Sequence, residues 1–284
     1  MKAQKIEKTN FNKEQYITTK LQEHFDYAKS QGYDIAYLAL QGSQNYNLDL
    51  YTDTYCSDVD TKAIIVPSID DIVCNRKPTS TTLVLPDNSH CDVKDIRIMF
   101  DTFRKQNINF IEILFTKYYI SSPTYQEDID FLRRHREEIA HLNYNQALRC
   151  MVGMSLEKMH ALEHPYPTCV EEINTIGYSK KQLSHIVRIN DFIKKYVAGV
   201  SYEQCLVPDN SDYIMKLKTI PISLSEAREI AKTYDAETFL IKEDNLLPQD
   251  VVDEIAVNYL DLVKCRIIKK KFKTELLEEM HADV

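Results

Sequence analysis

The chain has 284 residues, 44% hydrophobic and 27% charged, with 35 basic and 43 acidic side chains that give a formal net charge of −8. Those proportions are those of a globular protein and exclude the disordered, collagenous and coiled-coil classes. They also exclude a globally basic nucleic-acid coat protein, although a local basic groove remains compatible with them.

Residues 12–31 predict a helix, since Tyr16, Leu21, Phe25 and Ala28 recur at helical spacing and Gly32 stands where a C-terminal cap belongs. The apolar run 35–43 ends in Gly42-Ser43 and reads as a buried strand. Residues 44–57 predict a short helix and a loop, and 57–67 a second strand stopped by Pro67. Asp58 and Asp60 are two apart in that strand and share one face. A short helix over 68–73, opened by Asp70-Asp71, leads to a hairpin in which 81–86 and 90–96 flank Asp87-Asn88-Ser89. Asp95 is placed to cap the following helix.

From there to the mid-160s the pattern is helical, broken at Ser121-Ser122-Pro123 and ended by His164-Pro165-Tyr166-Pro167. Ser179 is placed to cap a helix from Lys180 to about Val197. Ser223 or Ser225 is placed to cap another running to Tyr234, and Pro248-Gln249-Asp250 opens a last one. The predicted fold is α+β, a mixed sheet over residues 1–120 followed by a helical region over 121–284.

The seven cysteines (56, 74, 91, 150, 169, 205 and 265) include no closely spaced pair, so no zinc knuckle or redox motif is present. Their odd count and loose spacing suggest free thiols in a reducing cytoplasm. The polar N-terminus MKAQKIEKTNFNK has no apolar h-region, and no run of about 18 apolar residues occurs, so a cytoplasmic protein with no membrane span is expected.

The chemistry concentrates in three places. Gly42-Ser43 ends the first strand, Asp58-Val59-Asp60 opens the second, and Asp92 lies in the second arm of the hairpin. Three carboxylates on neighbouring strands repel one another and raise each other's pKa. Divalent Mg²⁺, which prefers oxygen ligands from carboxylates and phosphates, relieves that repulsion. A pair of such ions can activate a hydroxyl and stabilise a pyrophosphate leaving group. Gly42 permits close backbone approach to a phosphate, and Ser43 supplies a hydroxyl and an N–H to it.

Taken in order, GSQNYNLDLYTDTYCSDVDTKAIIV and HCDVKDI resemble the signature of the DNA polymerase beta-like nucleotidyltransferase superfamily. That signature is a Gly-Ser pair, a spacer, an Asp-x-Asp pair and a later strand with a third Asp. The spacer between Ser43 and Asp58 is long, at 14 residues, and extra loop residues at 51–56 account for it. Within the superfamily the chain is similar to the RNA repair pathway polymerase-beta-type family. That family follows Gly-Ser with an aromatic-containing stretch, here Gln44-Asn45-Tyr46-Asn47-Leu48, and carries a later Gly-Tyr with spaced Lys, His and Arg, here IGYSKKQLSHIVRI. Asn47 stands where glycine is usual, and Asn tolerates positive φ better than most residues.

The resemblance implies a polymerase-beta-like mixed sheet and transfer of a nucleoside monophosphate from an NTP to an acceptor hydroxyl, with release of pyrophosphate. Asp58 and Asp60 would bridge two Mg²⁺ ions, with Mn²⁺ as a substitute, and Asp92 would complete the nucleophile-side ion. Gly42 and Ser43 would grip the triphosphate. Lys181, His185 and Arg188, which share one helical face, would assist. An RNA or tRNA end is the favoured acceptor, with a protein hydroxyl or a small molecule still open. The alternative is a non-catalytic nucleotide- or RNA-binding module with the same fold.

Two further features have readings of equal or lesser weight. Glu112, in the apolar stretch NINFIEILF, is either a ribose or metal contact or an ordinary helix carboxylate. The stretch KCRIIKKKFK at 264–273 reads as a solvated basic face more readily than as a nucleic-acid contact, because Glu275, Glu278 and Glu279 follow at once.

Overall fold

A computed structural model describes residues 12–52 and 56–282. Most of the polar N-terminal stretch and residues 53–55 of the long spacer lie outside the described residues. Strands β1 (Ile35–Gln41), β2 (Asp60–Ile65), β3 (Ser80–Val84), β4 (His90–Asp95) and β5 (Tyr119–Ser121) form one sheet in the order β3-β4-β2-β1-β5. The sheet is mixed: β1 runs antiparallel to β2 and β5, β2 parallel to β4, and β3 and β4 form the expected hairpin. The register pairs Gln41 with Asp60, and Lys62 with Asp92.

Strand parity decides what each face carries. Helix α1 (Lys13–Ser30), capped by the Asn12 side chain, lays Ile17, Leu21, Phe25 and Ala28 on Leu38, Leu40, Val59, Ala63, Cys91 and Val93. Each buried Ile, Leu, Val or Phe among these contributes roughly 1.5–3 kcal/mol. The alternate residues Asp60, Lys62, Asp92 and Lys94 therefore share the opposite face. On that face Ala36, Tyr37, Ala39 and Ile64 belong to a second apolar cluster that runs through Phe100, Leu148, Ile186 and Phe192 to Leu260 and Ile267.

The remaining helices are α2 (Ile69–Val73), which buries no side chain, and α3 (Ile96–Arg104), α4 (Ile108–Ile111), α5 (Gln126–Arg134), α6 (Arg136–Ala140), α7 (Tyr144–Ala161), α8 (Val170–Ile176), α9 (Lys180–Val197), α10 (Tyr202–Leu206), α11 (Ser211–Thr219), α12 (Leu224–Asn245) and α13 (Glu254–Ala282), which build this second layer. A 3₁₀ turn at Glu112–Leu114 follows α4. Ser68 and Asp71 form a reciprocal capping box at α2, and Asp95 caps α3 by accepting from Arg97 N. Helix α9 packs against α7, α11 and α12.

Three expectations change. The break at Ser121-Ser122-Pro123 follows a fifth strand, β5, whose three residues pair with Tyr37–Ala39 of β1. Helix α12 continues past Tyr234 to Asn245, because Thr238 is fully buried and its hydroxyl bonds the Tyr234 carbonyl while accepting from Asn190. Helix α13 starts at Glu254, not at Pro248, because Val252 first bridges to Asn143 and Asp253 N donates to the Leu142 carbonyl. All seven cysteines are free. Among the described residues no helix is long and apolar enough to cross a membrane.

Candidate active site

The Gly42–Leu48 turn at the end of β1 is the centre of the site. Gly42 has φ +95° and ψ −155°, a conformation reserved in practice for glycine, and opens a 3₁₀ turn over Ser43–Asn45. Asn47 has φ +58°, the left-handed conformation that its side chain tolerates. Every stretch of the turn is tied to a different part of the chain. Gly42 N donates to Glu112 Oε1 at 3.2 Å. The buried Gln44 amide donates to the Asp58 carbonyl at 2.5 Å. Asn45 accepts from the Thr116 hydroxyl at 2.7 Å and donates to the Leu40 carbonyl at 3.1 Å. Lys218 of α11 donates to the Leu48 carbonyl at 2.7 Å.

Beside this turn stand the carboxylates. Asp58 is exposed just ahead of β2, and Asp60 is the first residue of the strand. Partial burial, and then the charge of Asp60, raise the Asp58 pKa above the ordinary carboxylate value, with Lys181 and His90 pulling it back. Asp60 Oδ1 accepts from His90 N at 3.0 Å. Asp92 is engaged elsewhere: its Oδ2 lies 3.4 Å from Lys62 Nζ and its Oδ1 lies 3.6 Å from Lys94 Nζ. Lys62 is 6% exposed and sits over the Phe110 ring at 4.2 Å. Among the described residues no group of three or more His, Cys, Asp or Glu side chains is gathered to hold a metal ion.

The cationic side of the site comes from α9. Lys181 is exposed, His185 half-buried and Arg188 buried, so the three descend from the surface to the interior along one face. The Arg188 guanidinium lies 4.2 Å from the centre of the Tyr46 ring. Burial, and then the charges of Arg188, Lys181, Lys158 and Lys218, hold the His185 pKa well below its ordinary value, so the ring is neutral at physiological pH. Glu112 is 3% exposed, and burial raises its pKa to about 7 against the opposing charge of Arg188 and the Gly42 hydrogen bond. Glu112 Oε2 and Arg188 Nε have no hydrogen-bond partner among the described residues.

Chemically, the arrangement sets a backbone turn suited to phosphate between an acidic pair and a group of lysine and arginine side chains.

Comparison with known proteins adds little to this geometry. No protein-family model matches the chain, and no curated protein does. Among solved structures it is similar to a nucleotidyltransferase-like protein from Exiguobacterium sibiricum, with 10% identity over 93% of this chain and 80% of that one and a TM-score of 0.27. A likeness of that size carries no argument about fold or function.

Of the residues singled out in the sequence, Gly42, Ser43, Asp58 and Asp60 are brought together by the β1–β2 register and by Gln44. Arg188 joins them through Tyr46, and Lys181 lies near enough to Asp58 to lower its pKa. Asp92 shares their sheet face but is held by two lysines. Lys62, Gln44, Tyr46 and Lys218 also belong to the site. Gln44 and Tyr46 stood in the stretch that carries the resemblance, Lys62 carried only its even spacing from Asp58 and Asp60, and Lys218 carried no signal. The basic stretch on α13 is largely committed to the protein itself: Lys270 pairs with the buried Asp128 at 2.7 Å, and Lys271 with Asp34 at 3.0 Å.

Proposed function

We propose that this chain is a nucleotidyltransferase, which moves a nucleoside monophosphate from an NTP to an acceptor hydroxyl. The acceptor oxygen forms the new bond to the α-phosphorus, the bond from that phosphorus to the bridging oxygen breaks, and pyrophosphate departs. The hydroxyl proton passes to Asp92, which must loosen its pair with Lys62 or Lys94 to take it. One observation carries the reading: Gln44 wires the Gly42-Ser43 turn directly to the Asp58 backbone, so a phosphate seat and an acidic pair are built as one unit.

Gly42 and Ser43 hold the triphosphate, with Lys181, Arg188 and the neutral His185 donating to it. The Asp58–Asp60 pair fits a divalent cation, because partial burial and then the charge of Asp60 raise the Asp58 pKa, a cost that a cation there would relieve. Asp58 and Asp60 would hold Mg²⁺ there, and the ion would supply positive charge beside the transferred phosphoryl group. The rest of the catalysis is positioning. An RNA end remains the favoured acceptor on the sequence resemblance.

A non-catalytic nucleotide-binding module is the second reading, favoured by the Lys62–Asp92 and Lys94–Asp92 pairs that occupy the third carboxylate. Incubation of the full chain with each α-labelled NTP, Mg²⁺ and either total RNA or total protein separates the two. Label transferred with stoichiometric pyrophosphate supports the enzyme. Metal-independent thermal stabilisation by NTP, with no pyrophosphate from any acceptor, supports the module.

A further inference from the structure

We infer that Lys62 fills the position of a second cation at Asp92, so that the site takes one divalent ion, on Asp58 and Asp60, instead of two. This rests on the nucleotidyltransferase reading above and narrows its metal chemistry. The argument begins with the sheet. The parallel β2–β4 ladder pairs Lys62 directly with Asp92, so backbone hydrogen bonds fix the two side chains side by side on one face.

The ammonium has little freedom to leave. The Lys62 side chain is 7% exposed, with Phe110 below it at 4.2 Å and the Asp92 carboxylate at 3.4 Å. A buried lysine released from its paired carboxylate is costly, so departure is opposed by more than the loss of one contact. Lys94 engages the other oxygen of Asp92 from the same face, at 3.6 Å, and leans on the same ring at 5.2 Å.

Each Asp92 oxygen thus already faces a fixed positive charge. Mg²⁺ requires near-octahedral oxygen ligands at about 2.0–2.1 Å. A dication placed on either oxygen would stand within a few ångströms of an ammonium, in surroundings that screen charge poorly. Among the described residues no lysine or arginine is paired with Asp58 or Asp60: Asp60 Oδ1 accepts from His90 N at 3.0 Å and lies 3.4 Å from His90 Nδ1, and the charges of Lys181 and Lys62 reach Asp58 and Asp60 respectively without a direct ion pair. Burial lowers the Lys62 pKa, and the Asp92 charge opposes that. The division is therefore one exchangeable divalent ion at the acidic pair and one ammonium held at the third carboxylate by its pairing with Asp92.

Counting bound Mn²⁺ tests this without reference to turnover. MnCl₂ is titrated into the full chain and the free ion is followed by its paramagnetic resonance signal. The expected result is one ion per chain, lost in Asp58→Asn and Asp60→Asn and still one per chain in Asp92→Asn. Lys62→Met, which keeps the apolar stem over Phe110, should open a second and weaker site. Two ions on the unaltered chain, one of them lost in Asp92→Asn, would overturn the inference while leaving the acidic pair as a metal seat. No bound ion at all would overturn that seat, and this inference with it. The unaltered chain gives the decisive count even if a variant folds poorly, and Lys62→Met/Asp92→Asn removes both charges where either single change destabilises.

Discussion

Glu112→Gln isolates the electrostatic strain beneath the Gly42 turn. The carboxyl is 3% exposed and its pKa rises from the ordinary 4.5 to about 7. That difference corresponds to about 3 kcal/mol, at roughly 1.4 kcal/mol per pKa unit. The sign follows from which form the fold prefers. A raised folded-state pKa means that the protonated carboxyl is favoured, so its full stabilisation is present below about pH 4.5 and is lost as pH rises through about 7. Glutamine is nearly isosteric, keeps an oxygen for Gly42 N and does not titrate. Urea denaturation of both proteins from pH 4 to pH 8.5 gives the difference directly, with every other titrating group cancelling. The variant should match the unaltered protein near pH 4.5 and gain about 3 kcal/mol on it by pH 8. A flat difference across that range would refute the reasoning, since it would mean that Arg188 fully compensates the buried charge.

Asp58→Asn and Asp60→Asn should each abolish labelled-NMP transfer while leaving the melting temperature equal or slightly raised, because repulsion within the pair is relieved; near-normal transfer in both would remove them from the chemistry. Gly42→Ala meets open space at its added methyl, so its cost should be the backbone strain alone, about 1–3 kcal/mol in urea denaturation. A neutral result there would mean that the turn relaxes to negative φ. Lys271→Ala removes partly exposed pairs to Asp34 and Glu275 and should cost no more than about 1 kcal/mol. It should leave RNA retention in a filter-binding assay unchanged, and a large loss of retention would restore the nucleic-acid role of the α13 basic stretch.

What could be read from the sequence was what local chemistry determines. The strand ending in Gly42-Ser43, the hairpin at Asp87-Asn88-Ser89, the caps Asp95 and Ser223, and the span of α9 all depend on neighbours within a few residues, whereas Ser179 takes the cap position of α9 without a side-chain capping bond. Positive φ at Asn47 was legible for the same reason. The parallel pairing of β2 with β4 was not, because it joins segments separated by α2 and β3 and leaves no pattern in either. Strand β5 is three residues long, and its identity comes from β1. Lys62 looked like one polar residue in an apolar run. Its importance appears only when the ladder sets it beside Asp92, although its parity with Asp60 already placed it on the acidic face.

Gln44 has a consequence of its own. Its single amide joins the bend after β1 to the carbonyl of Asp58, while Leu48, four residues on, is held by Lys218 from the helical layer. A molecule settling into the bend therefore cannot shift it without dragging both an acidic neighbour and a helix along. Displacement of the bend thus strains two bonds at once, one to the strand that carries the acidic pair and one to the helical layer.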